Sequence, residues 1–192
     1  MHPSSLSGAN IIAGNTGDGV KISSAGDINN LISQNSVYSN GGLGINLVNP
    51  TPTPTPEPPS TVTANDPGDA DEGPNHLQNF PVITAANVVS QTISGTLNTT
   101  PNSSPQVYTI EFFANASCDT SGHGEGKTYL GSLTTSATDN NGDVTPFTFN
   151  VPPDSPISGG DIITATATDA NGNTSEFSAC FATGFGISGH VD

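Results

Sequence analysis

The sequence predicts an all-β fold, and three observations carry the expectation. Apolar residues fall in short β-branched or aromatic runs separated by Gly, Pro, Asn and Ser, the punctuation of many short strands. No stretch sustains the 3.6-residue apolar period of a helix. Several runs alternate strictly, as in Tyr108, Ile110, Phe112 and in Phe147, Phe149, Val151, so one face of each is built to be buried.

Composition narrows the partners. The 192 residues carry seventeen carboxylates against two basic side chains, Lys21 and Lys127, for a formal charge of −15. Nucleic acid is bound by Lys and Arg that displace its counterions, so it is excluded as a partner. An anionic membrane surface is disfavoured for the same reason. Divalent cations, polysaccharides and other surface proteins remain. No apolar run approaches the ~20 residues of a membrane-spanning helix, so insertion is not expected. Met1 leads straight into Ser/Gly/Asn sequence in mid-repeat, and the chain reads as a piece of a longer exported protein.

In order along the chain, residues 1–48 read as the last rungs of a parallel β-helix. Asn10–Ile22 (NIIAGNTGDGVKI) and Asn30–Leu47 (NLISQNSVYSNGGLGINL) share an Asn-apolar-apolar opening, a Gly-rich turn and a short apolar stretch. Their spacing of about twenty residues suits stacked coils, with asparagines laddering at the corners. Ile11, Val20, Ile22, Leu31, Val37, Ile45 and Leu47 are the expected inward set. Two coils are too few to stand alone and must lean on a neighbour. Their exposed ends also offer a route to pairing between copies.

Residues 49–62 form a linker around PTPTPTPEPP, a run that favours a semi-rigid polyproline spacer. Residues 63–83 comprise the acidic turn NDPGDADEGPN and an edge strand, Leu77–Ile83, because Pro81 cannot donate to a central ladder. Residues 84–183 read as a two-sheet, immunoglobulin-like antiparallel sandwich of seven strands, the first being Ile83–Val89. The others are Gln91–Leu97, Gln106–Ala114, Thr128–Thr135, Thr145–Val151, Asp161–Asp169 and Thr174–Ala182. Residues 184–192 are a tail. In the last strand Phe177, Ala179 and Phe181 share a face, which turns Cys180 the other way. A bridge from Cys180 to Cys118 would pin the loop after Phe113 to the sheet, contributing roughly 4 kcal/mol by loop closure. The other reading is two free thiols.

Three segments taken together, NDPGDADEGPNHLQNFPVI, IEFFANASCDTSGHGEGKTYLGS and TATATDANGNTSEFSACF, resemble the C-terminal region of bacterial exported proteins with right-handed parallel β-helix repeats of the CSLREA-domain type. The resemblance implies coils that end in a Gly-rich rung, then an acidic segment, then an Ig-like module, at a secreted or cell-surface location. The proline run departs from that pattern as an insertion.

Several clusters carry potential chemistry. Asp66, Asp69, Asp71 and Glu72 crowd oxygen ligands at a density that suits Ca²⁺. Asp169, Asn171, Asn173 and Glu176 form a weaker set, as do Asp139, Asn141 and Asp143, since such residues also favour turns by bonding their own backbone. The loop 118–127 holds Asp119, His123 and Glu125. With Glu111, Asp119 or Asp139, Glu125 could supply the paired carboxyls of a glycosidase, set about 5–10 Å apart. His76 and His123 show no paired metal-ligand spacing. The leading expectation is a non-catalytic structural or adhesive module, calcium-stabilised, binding a glycan or a neighbouring protein. The alternative is a carbohydrate-active enzyme, a glycoside hydrolase or polysaccharide lyase.

Overall fold

The computed structural model describes residues 8–48, 61–101 and 106–184. The proline run, His2 and His190 lie outside the described residues.

Four three-residue strands open the chain: β1 (Ile11–Ala13), β2 (Val20–Ile22), β3 (Ser36–Tyr38) and β4 (Ile45–Leu47). β1 pairs with β3 and β2 with β4, both parallel, in register Ile12↔Val37 and Lys21↔Asn46. The recurrence is 25 residues, longer than the spacing expected from the apolar runs. Asparagines set it. Asn10 donates its N–H and Nδ2 to Asn35 Oδ1 at 3.0 and 2.9 Å. Asn15 does the same to Asn40 Oδ1 at 3.3 and 2.8 Å.

The new register corrects the inward set. Ile22, Val37, Ile45 and Leu47 are buried and Val20 packs against them, but Ile11 and Leu31 are 75% and 65% exposed. Ile12 and Ile32 take their places against the core. Alternation along β1 admits only one of Ile11 and Ile12, and the pairing chose the second; Leu31 and Ile32 lie in the connection before β3.

The rest is antiparallel. β5 (Val82–Asn87), β6 (Thr92–Asn98) and β9 (Asp143–Asn150) form one sheet in that order, with β5 at its edge and Pro81 just before it, outside the ladder. β7 (Thr109–Asn115), β8 (Thr128–Thr134), β10 (Ile162–Thr168) and β11 (Phe181–Ala182) form the other, ordered β11-β10-β7-β8. Ile93, Phe147 and Phe149 from the first sheet meet Ile110, Phe112, Ile163 and Ala165 from the second in one apolar core, a sandwich-like arrangement. Phe112 stacks on Phe149 at 4.5 Å.

Two expected strands shrink. Residues 77–81 are not strand; a short 3₁₀ turn, Pro74–Leu77, precedes β5. The expected strand Thr174–Ala182 survives only as β11, and Phe177 and Phe181 do not share a face. Phe181 joins the sandwich core, whereas Phe177 packs with Phe113, Leu77 and the apolar residues of β2–β4. The segment 173–178 is buried throughout, wedged between the two halves of the molecule. That wedge is why no two-faced strand forms there.

The N-terminal strand pairs therefore do lean on a neighbour. They share a second apolar core with the sandwich, and Val37 and Gly126 exchange backbone hydrogen bonds at 2.9 Å in both directions.

Candidate functional site

Three glutamates are buried along the seam with the N-terminal strands: Glu111 on β7, and Glu125 and Glu176 on connecting segments. Each takes amide or hydroxyl donors from across the seam. Glu111 accepts from Ser33 Oγ at 2.6 Å and from the Gln34 N–H at 2.9 Å. Glu125 Oε1 accepts from Asn40 Nδ2 at 2.6 Å and from the Asn40 N–H at 3.1 Å. Glu176 accepts from the N–H groups of Leu47 and Thr63 at 2.8 and 2.7 Å. Charge-assisted bonds of this kind are about twice as strong as neutral ones and offset part of the cost of burying the charge. Burial raises the Glu111 carboxyl above its ordinary range, against the lowering effect of its two donors.

The candidate catalytic residues are distributed accordingly. Glu111 and Glu125 are tied to the seam. Asp119 sits in the disulfide loop, where its Oδ1 accepts from the Ser121 N–H at 2.8 Å. His123 is half-buried, edge-on to Phe80 with ring centres 5.2 Å apart, and burial lowers its pKa. Cys118 and Cys180 form the disulfide, closing a separation of 62 residues. The strand-like contacts His123↔Ala179 and Gly124 N–H to Ser178 carbonyl hold the loop beside the 173–178 wedge.

The acidic segment brings three of its four expected ligands together. One oxygen each from Asp66, Asp69 and Asp71 lie within 4.8 Å of one another, so this trio can hold a metal ion. Glu72 turns instead to His76, 3.3 Å away. The loop is anchored from below: Asn79 donates its N–H to Asp69 Oδ1 at 2.8 Å and its Nδ2 to the Asp66 carbonyl at 2.8 Å. The Gly68 N–H donates to Asn98 Oδ1 at 2.7 Å. Asp69 is buried, and its pKa rises to about 7, first through desolvation and then through the neighbouring charges of Asp71 and Asp66. Asp71 is raised as well, again chiefly by burial. Its Oδ1 is buried without a hydrogen-bond partner among the described residues.

The weaker sets are turns. Asp169 Oδ1 accepts from the N–H groups of Asn171 and Asn173, both at 2.8 Å, and Gly172 alone carries the positive φ. Asp139 repeats the arrangement with Asn141 and Asp143 at 2.8 and 2.9 Å. Glu176 does its work at the seam.

One open cavity of about 220 Å³ lies beside the disulfide loop, lined by Tyr38, Asn115, Asp119, Glu125 and Lys127 among others. Lys127 Nζ sits 4.8 Å over the Tyr38 ring. A second, of about 440 Å³, adds Leu130, Pro156 and Asp161 and shares Asn115, Ala116 and Lys127 with the first. Tyr38 and Asn115 were not singled out from the sequence. A lone tyrosine in a Ser/Asn repeat carries no signal until the fold sets it against the loop.

No protein-family model matches the chain, and no curated protein is similar to it at a significant level. Among the described residues, no helix is long and apolar enough to cross a membrane. The disulfide points to an oxidising compartment.

Proposed function

We propose that the chain is a non-catalytic structural or adhesive module of a secreted or cell-surface bacterial protein. In this reading the N-terminal strand pairs are the last rungs of a parallel β-helix, and an immunoglobulin-like sandwich caps them. Calcium bridges Asp66, Asp69 and Asp71 and stiffens the connecting segment.

The observation that carries the reading is the seam. Glu111, Glu125 and Glu176 spend their carboxylates on donors of residues 33–63, and one apolar core spans both parts. A general acid needs a free proton near a substrate; these groups are committed to holding two units rigidly together. The 25-residue recurrence with its asparagine ladders supports the rung assignment. The likeness to exported β-helix repeat proteins supports the compartment.

Calorimetry tests the seam: one cooperative transition for the whole chain is expected, and two separate transitions would refute a rigid junction. Calcium is expected to raise the melting temperature, and Asp71→Asn to abolish the rise. The second reading, a glycosidase, draws on Asp119 and Glu125 lining one cavity. Incubation with a polysaccharide panel decides it. Reducing ends that vanish in Glu125→Gln would establish an enzyme.

A further inference from the structure

The two cavities beside the disulfide loop are neighbours and share Asn115, Ala116 and Lys127 in their walls. We infer that together they form one groove that binds a neutral polysaccharide chain, running from Tyr38 and Asp119 at the seam to Pro156 and Asp161 on the sandwich. The inference rests on reading the chain as an extracellular module and assigns that module its ligand.

Size comes first. The two compartments together fall within the roughly 300–1,000 Å³ usual for small-molecule sites. Two neighbouring open cavities of that total size suit several units of a chain better than one enclosed ligand.

Chemistry comes second. The first compartment is lined mainly by hydroxyl and carboxylate groups, Ser117, Asp119 and Thr120 among them, while Glu125 and Asn115 keep their side-chain polar atoms on Asn40, Lys127 and the Glu125 carbonyl. The second adds the exposed ring of Pro156 and the half-buried Ala114, with Asp161 in its lining. Sugar rings present both kinds of face, with hydroxyls at the rim to donate to carboxylates and C–H faces to lie on apolar groups. Charge excludes the acidic polymers. The groove offers Asp119, Glu125 and Asp161 against the single Lys127, on a chain of net charge −15.

Rigidity comes third. Asn115 Nδ2 donates to the Glu125 carbonyl at 2.8 Å, and Asn115 Oδ1 accepts the Lys127 N–H at 2.8 Å. Thr164 Oγ1 donates to the same Glu125 carbonyl at 2.6 Å. The floor is thus set before any ligand arrives, which lowers the entropic cost of binding.

The test uses the whole chain, titrated with cellohexaose, laminarihexaose, mannohexaose and xylohexaose, with oligogalacturonate as the anionic control, followed by NMR. At least one neutral oligosaccharide is expected to bind and to shift the amides of Tyr38, Asn115, Lys127 and Leu130. Ala116 is exposed at the division between the compartments, so Ala116→Gln fills the groove without disturbing a buried contact. It is expected to weaken binding at least tenfold at unchanged melting temperature. Asp119→Ala should weaken it about fivefold. No binding across the neutral panel, shifts that map elsewhere, unaltered binding by Ala116→Gln, or binding of oligogalacturonate alone would each overturn the inference. Release of reducing ends would overturn the non-catalytic reading and leave the groove standing; loss of binding with the calcium-dependent melting intact would do the reverse.

Discussion

Glu125 accepts both the backbone N–H and the side-chain amide of Asn40, and so fastens the disulfide loop to the strand pair that also carries the Asn15–Asn40 ladder. Because the pair is buried, removing one partner leaves the other unsatisfied, which costs about 1–3 kcal/mol. Glu125→Ala removes the oxygen that takes both Asn40 donors, and a loss of about 2 kcal/mol is expected by chemical denaturation. Asn40→Ala should cost a similar amount, because it also breaks the ladder. A double variant that loses much less than the sum would establish the coupling; simple additivity would refute it.

The disulfide should matter to the same region. Cys118 and Cys180 are 62 residues apart, and closing such a loop is worth roughly 4 kcal/mol in the chain-entropy model. Replacing both by serine is expected to lower stability by about 2–4 kcal/mol. Hydrogen exchange should then rise first in residues 118–127. Uniform loss of protection would show that the bridge acts on the unfolded chain alone.

Gly126 offers a sharper packing test. It pairs with Val37 through its backbone, and a Cβ there would lie 2.5 Å from Phe177 Cε1 and 2.9 Å from Phe113 Cδ1. Those rings are buried and meet edge-to-face at 5.4 Å, so neither can give way cheaply. Gly126→Ala is expected to destabilise by about 1–3 kcal/mol through overpacking. At Gly17 nothing lies within 4 Å of the added carbon and the φ is ordinary. Gly17→Ala should therefore be nearly neutral, and equal effects at the two sites would contradict the packing account.

How far the molecule was legible in its residues depended on the kind of signal. Phe147, Phe149 and Val151 could be placed because a strand with one buried face writes its burial directly as alternation. The cysteine pair was readable because only two were present. The 25-residue register was written in Asn10/Asn15 and Asn35/Asn40, each pair five residues apart, but apolar similarity around Asn30 obscured it. Glu111 and Glu125 could not be understood locally. A glutamate that holds a seam, one that faces water and one that protonates a sugar look alike until the donors 78 or 85 residues away are in place. Phe177 and Phe181 failed for the same reason, since their separation depends on which core reaches each ring. The acidic trio was legible because its members are adjacent in sequence; that Glu72 leaves it for His76 was not.

The pH dependence of stability follows from that trio. The pKa of Asp69 in the fold is raised to about 7 from an ordinary 3.8. For a raised acid the folded state binds the extra proton, so its contribution is fully present below the unfolded pKa and is lost as pH rises through about 7. Asp71 and Glu111 are shifted in the same direction. In chelator, raising the pH from about 6 to 8.5 should remove roughly 1 kcal/mol through Asp69, a fall of about 2–4 °C in Tm for a chain of this size. The comparison is made against Asp69→Asn, in which His123 and the other titrating groups contribute as before and the slope should flatten by that amount. Calcium should flatten the wild-type slope too, because a bound cation keeps Asp69 ionised at both pH values, and its binding at pH 6 should release a proton measurable by calorimetry in buffers of different ionisation enthalpy. A wild-type slope equal to that of Asp69→Asn would mean that burial and its neighbours do not raise the Asp69 carboxyl as argued.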